Sequence, residues 1–245
     1  MLREGFVVLV SAALLLVGCG DDDDSGESTA DDQEVADEAI ATFEGVMRDE
    51  GFAVADDDED EDEDDDLEFE SDECREFEDA FPGDEELPGE TASAESDDFE
   101  RGELAPTAEG VLESVSGTVE FVEDPDDVDL MIELLNTDRA NRCFEEAVRI
   151  GLESAAAEDE QPLELDVEVE HLDSQGIGDT GVGFEATGEF ETSGITFPFS
   201  LAIEVVGVDR AFVSVVVTGF GTDEPTVDRA ALLQAMVDAV GDQSA

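Results

Sequence analysis

Apolar residues change their spacing twice along the chain, and each change marks a different kind of element. Ala36, Ala39, Ile40, Phe43 and Met47 recur at helical intervals, so Val35 to about Asp49 is predicted as an amphipathic helix. Behind Ser71, Cys74, Phe77 and Phe81 fall at i, i+3 and i+7, which gives a short helix with a serine cap and its thiol on the apolar face. Residues 82–109 are rich in acids and proline and read as a loop. Val115, Gly117, Val119 and Phe121 alternate with polar neighbours, the pattern of a half-buried strand. Asp124-Pro125-Asp126-Asp127 then supplies an N-cap, a proline at the first helical position and acids against the helix dipole. The stripe behind it is Val128, Met131, Leu134 and Leu135. A second helix from about Asp138 buries Ala140, Cys143, Phe144, Ala147 and Val148, so Cys143 faces inward as Cys74 does.

The remainder alternates strictly. Leu163 to Val169, Val182 to Phe190 and Ile195 to Ile203 each present one apolar face, as antiparallel strands with one solvated side do. Ala211 to Phe220 is apolar in both phases and is predicted as a central strand. Thr192-Ser193-Gly194 and Gly207-Val208-Asp209 supply turns. Pro225 opens a last helix that buries Val227, Ala230, Leu233, Val237 and Val240. The fold class is α+β: an antiparallel β-sheet meander with helices packed on one face, preceded by an acidic, partly disordered N-terminal region.

Charge sharpens this picture. Seventy-three acids oppose nine arginines, with no lysine, for a net charge of −64. That excludes nucleic acid as a partner, because binding phosphate requires Lys and Arg to displace counterions. At 40% hydrophobic residues the chain still has a core to bury. The acids concentrate towards the N-terminus, where Asp56 to Asp66 is an unbroken acidic run that repels itself and is expected to stay disordered. The organisation expected is a signal peptide over 1–18, a flexible acidic tether over 19–34, an acidic helical and loop region over 35–110 and an α+β domain over 111–242. Dense acid without lysine also resembles proteins of salt-adapted organisms, where ionic strength screens self-repulsion.

The N-terminus carries an address. Phe6 to Val17 is apolar and small, about 18 Å long as a helix, too short for a hydrocarbon core of about 30 Å and suited to a secretory h-region. It ends in Leu16-Val17-Gly18-Cys19, which looks like the lipobox of bacterial lipoproteins. Cys19 is thereby expected to carry the lipid, a palmitate-type acyl anchor, and the mature protein to sit on the extracytoplasmic face of the cell membrane. Cys74 and Cys143 are the remaining thiols, and in an oxidising compartment a single disulfide is the simple reading. It would close a loop of about 70 residues.

Three stretches carry a resemblance to a known family: Val119-Glu120-Phe121-Val122-Glu123-Asp124, Arg142-Cys143-Phe144-Glu145-Glu146-Ala147, and Gly176-Ile177-Gly178-Asp179-Thr180-Gly181-Val182-Gly183-Phe184. Together with the order of elements, they make the chain similar to actinobacterial envelope lipoproteins, which in turn look like the extracellular sensor domain of PknH-type serine/threonine kinases. The resemblance spans roughly residues 70 to 240. It implies a sheet and helices enclosing a cleft for an envelope ligand, without established catalysis. Two cysteines allow one bridge where the kinase domains carry more.

Other candidate chemistry reduces to structure. Gly176 to Gly181 matches GxGxxG, but a strand follows it, whereas a dinucleotide site needs a helix N-terminus there. It reads as a turn. His171 ends an aliphatic strand face and reads as a partly buried, satisfied histidine, with no nucleophile in any motif. Asp21, Asp23, Ser25, Gly26 and Asp32 mimic part of an EF-hand loop without its helices or bidentate glutamate. No catalytic residue, metal site or cofactor is assigned, and the chain is read as a non-enzyme. The function expected is a membrane-anchored ligand-binding or sensing module of the envelope, its membrane contact made by the N-terminal lipid and its ligand unidentified. The alternative is a structural or interaction lipoprotein whose acidic segment binds cations or a basic partner.

Overall fold

The computed structural model describes residues 30–55, 69–78, 89–102, 110–158, 164–172, 176–192, 195–222 and 225–243. Cys19 and its lipobox, the tether as far as residue 29, and the acidic run 56–66 lie outside the described residues. The elements follow as α1 (Ala30–Asp49), β1 (Ala53–Val54), α2 (Asp72–Glu78), β2 (Glu90–Glu95), β3 (Phe99–Gly102), β4 (Leu112–Val122), α3 (Pro125–Leu135), α4 (Asp138–Glu158), β5 (Glu164–Leu172), β6 (Thr180–Thr192), β7 (Ile195–Val208), β8 (Ala211–Phe220) and α5 (Arg229–Gln243). All eight strands form one antiparallel sheet in the order β1-β3-β4-β8-β7-β6-β5, with β2 paired to β4 beyond the end of β3. The class is α+β, as the periodicities predict.

Local chemistry sets the element ends. Asp124 caps α3 by accepting from the Asp126 N–H at 3.0 Å, with Pro125 at the first helical position. Ser71 Oγ accepts from the Cys74 N–H at 3.2 Å and caps α2. Asp228 Oδ1 accepts from the Ala231 N–H, which starts α5 at Arg229, a turn later than Pro225. The β7–β8 hairpin turns through Asp209 and Arg210, and Asp209 lies at φ 53°, a left-handed conformation that aspartate tolerates better than most residues. The glycine-rich segment links β5 to β6 as a turn. There Gly178 lies at φ 69°, and a Cβ on it would stand 2.7 Å from the Gly207 carbonyl oxygen.

Helices cover both faces of the sheet, which corrects the expectation of one helical face. On one face α2, α3 and α4 bury Cys74, Phe77, Val128, Ile132, Cys143, Phe144 and Val148 against Val182, Phe184, Phe199, Ile203 and Val216. On the other, α1 and α5 bury Ala39, Phe43, Met47, Leu233 and Met236 against Val115, Val119, Val213, Val215 and Val217. The reason lies in β8: residues of both phases are apolar, so the strand needs cover on each side, and the α1 and α5 stripes provide the second layer.

Three further boundaries differ from expectation. Residues 90–95 and 99–102, read as loop, are the strands β2 and β3, β2 paired only to β4 and β3 lying between β1 and β4. Helix α1 begins at Ala30, so the last residues assigned to the tether are helical. Because α1 shares a core with β4, β8 and α5, the packing shows no division at residue 110.

Candidate functional site

Strand β4 is buried along both faces, whereas its alternation reads as half-solvated. Its apolar phase, Val115, Gly117, Val119 and Phe121, faces α1 and α5, where a Cβ on Gly117 would come within 3.1 Å of the Phe43 ring. Its other phase is Ser114, Ser116, Thr118 and Glu120, all buried on the face shared with α3 and α4. Only the two ends of this phase, Leu112 and Val122, join the apolar core there.

The polar column continues sideways. Antiparallel pairing sets Ser114 opposite Thr218, Thr118 opposite Ser214 and Glu120 opposite Phe212 on β8, and sets Ser93 of β2 opposite Glu120 on its other side. Directly paired side chains in such a sheet lie about 5 Å apart at Cβ, so these groups form one patch. Ser116 Oγ, Thr118 Oγ1, Glu120 Oε1, Ser214 Oγ and Thr218 Oγ1 are buried without a hydrogen-bond partner among the described residues. Each buried polar group left unpaired costs about 1–3 kcal/mol. Five on adjacent strands amount to a substantial sacrifice of stability, and such groups are completed by water or a ligand.

Glu120 dominates the electrostatics. It is 2% exposed, and burial pushes its carboxyl well above the usual carboxylate range, with the nearby Glu90 and Glu95 adding to the rise. At the β2 edge of the patch Ser93 and Glu90 are half-buried and Glu95 is exposed.

Other buried acids contrast with it, because each has an arginine. Glu113 is drawn upward by burial, but hydrogen bonds from the Thr226 N–H, Arg101 and the Thr226 hydroxyl, together with the Arg101 charge, hold it below the usual range. Asp32 accepts from Arg210 at 2.8 Å and from Thr91 at 2.9 Å, pinning the start of α1 to the sheet. Arg229 bridges Glu185 and Glu204, each at 3.1 Å. There burial lifts Glu204 upward, Arg229 opposes it and Glu185 adds to it. The remaining described arginines, Arg48, Arg75, Arg139, Arg142 and Arg149, are also engaged with carboxylates. Glu120 is thus a deeply buried acid beside which no arginine among the described residues is placed.

Cys74 and Cys143 form the expected disulfide, joining α2 to α4 with a Cα–Cα distance of 5.2 Å. Around it Arg139 donates to the Glu73 carbonyl, Arg142 pairs with Glu73 and Arg149 with Glu70, so one face of α4 holds the short helix. Ser71 donates to Glu146 from both its N–H and its hydroxyl. His171 is exposed at the end of β5, its ring 4.9 Å from that of Phe184, rather than partly buried. The partial EF-hand pattern lies outside the described residues except for Asp32, which is occupied by Arg210 and Thr91. Among the described residues no group of three or more His, Cys, Asp or Glu side chains is placed to hold a metal ion, and no helix is long and apolar enough to cross a membrane.

The residues around Glu120 escape a reading by alternation, because polar positions in a strand are assigned to solvent. The signal that could have found them is β8: a strand apolar in both phases is central, so the strand beside it is also covered on both faces, and its polar phase must be buried. Comparison with protein-family models, with curated proteins and with solved structures finds no match for this chain.

Proposed function

We propose that the chain is a lipid-anchored binding module on the extracytoplasmic face of the cell membrane, and that the buried hydroxyl and carboxyl groups around Glu120 receive its ligand. One observation carries the binding role: five adjacent buried polar groups on β4 and β8 have no hydrogen-bond partner among the described residues. A chain selected for stability alone would fill these positions with apolar side chains, as it does on β7, the strand beside β8, at Phe199, Leu201 and Ile203. Function is the usual reason for retaining such a cost. The address rests on the run Phe6 to Val17 and on Cys19, and the Cys74–Cys143 bridge supports an oxidising compartment. This role is the one that the resemblance to envelope lipoproteins implies.

The interaction reading has its own support. Helices α1 and α5 leave Asp166, Glu168, Glu170 and Glu189 exposed on β5 and β6, a surface suited to cations or a basic partner. The two readings separate in mass spectrometry of the protein purified from membranes. A stoichiometric small molecule released on denaturation is the result expected of a binding module; an empty protein that recovers only basic polypeptides favours the interaction reading. Detergent partitioning of Cys19→Ser tests the anchor, with movement out of the membrane fraction expected.

A further inference from the structure

We propose that the patch around Glu120 takes a polyhydroxylated organic amine, whose ammonium pairs with the Glu120 carboxylate while its hydroxyls bond Ser116, Thr118, Ser214 and Thr218. This rests on the binding role given above and names the ligand class for the same site. The first ground is charge. Glu120 has no arginine beside it, since each arginine among the described residues is bound to another carboxylate, and Glu90 and Glu95 act on it with the same sign. An anion is repelled from such a place and a cation is drawn in.

The second ground is the donor and acceptor inventory. Four unpartnered hydroxyls each donate and accept, and an ionised carboxylate only accepts. An ammonium supplies several N–H donors to one carboxylate, and ligand hydroxyls satisfy the serines and threonines in either sense. A bare metal ion is a poorer match, because the described residues bring no set of three ligating side chains together. The third ground is extent. Six residue steps of β4 separate Ser114 from Glu120, about 20 Å at the usual rise, so the hydroxyls are spread along the strand as the several hydroxyls of a polyol are spread beside its amine. Where the patch meets β2, Ser93 is half-buried and Glu95 exposed.

The test titrates the full-length, isotope-labelled protein at neutral pH with two probes of one scaffold, glucosamine and glucose, following the amide signals of Ser116, Thr118, Glu120 and Ser214. Glucosamine is expected to give saturable shifts at these positions and glucose to bind at least tenfold more weakly. Glu120→Gln keeps the size of the side chain and cannot ionise. It is expected to fold with a melting temperature at or above that of the native protein and to lose at least tenfold in glucosamine affinity. Equal binding of the two probes, unaffected by Glu120→Gln, would overturn the amine assignment while leaving the binding role intact. Absence of shifts at these residues, or shifts spread over the exposed acids of β5 and β6, would overturn the assignment as well. Whether a small molecule then co-purifies decides separately whether the binding role survives.

Discussion

Asp166 stands directly opposite Glu189 across the β5–β6 pair, and both side chains are exposed. Four residues along the same face, Glu170 faces Glu185. Like charges paired across a sheet destabilise it, each by some tenths of a kcal/mol up to about 1 kcal/mol. On a chain of net charge −64 such pairs are part of a general self-repulsion. The melting temperature is therefore expected to rise as KCl goes from 0.1 to 3 M, over which the Debye length falls from about 10 Å to below about 3 Å. Asp166→Lys, which turns a repelling pair into an attracting one, is expected to stabilise the fold by about 0.5 kcal/mol at low salt and by nothing measurable at 3 M. Melts of both proteins across the salt series check this.

Reduction of the Cys74–Cys143 bridge is expected to cost about 4 kcal/mol on the chain-entropy account, given a sequence separation of 69 residues. The ion pairs of Arg142 with Glu73 in α2 and of Arg149 with Glu70 just before it are largely exposed and do not replace the bridge. Chemical denaturation with and without reductant measures the loss, and hydrogen exchange in α2 is expected to show it first. Recovery of both cysteines as free thiols from exported protein would contradict the pairing.

The pH dependence follows from the direction of each shift. Glu120, raised on folding, contributes stability that is full below the ordinary carboxylate value of about 4.3 and is lost as pH rises through its higher folded value. Glu113 and Glu146 are lowered on folding, and their contributions are present above about 4.3 and lost as pH falls. Glu120→Gln removes the first dependence and leaves the second. It is expected to match the native protein at pH 4 and to exceed it in melting temperature at pH 8. A constant offset between the two proteins from pH 4 to 8 would show that Glu120 does not titrate differently in the folded state.

Gly117 is the point at which both helices of the second layer approach β4: a Cβ there would stand 3.1 Å from the Phe43 ring and 3.3 Å from Met236 Cε. Gly117→Val is expected to destabilise by about 1–3 kcal/mol through overpacking, read as a lower denaturation midpoint with an unchanged slope.

Much of this architecture was legible in the sequence because its signals are local. The stripes on α1 and α4, the Asp124 cap, the Ser71 cap and the central position of β8 are each written within a short window, and both half-cystines fell on inward stripes. Strands β2 and β3 were not legible, because they are short and their partner β4 lies later in the chain. The same non-local dependence hid the second helical layer and the patch at Glu120. Alternation in β4 assigns Ser116, Thr118 and Glu120 to solvent, and only the cover on both faces of the neighbouring β8 makes them buried.

If the polar patch exists for a ligand, removing its hydroxyls should help the empty fold and harm its occupancy. Thr118→Val with Ser214→Ala deletes two unpartnered hydroxyls that face each other across β4 and β8 and keeps nearly the same shape, a change that is neutral or stabilising when no partner existed. The decisive measurement is native mass spectrometry of the mature protein and of this double variant, each purified from its own membranes under identical conditions. The account predicts a stoichiometric small molecule on the native protein, missing or reduced at least tenfold on a variant that melts no lower. An identical spectrum for the two proteins, whether both occupied or both empty, would contradict it.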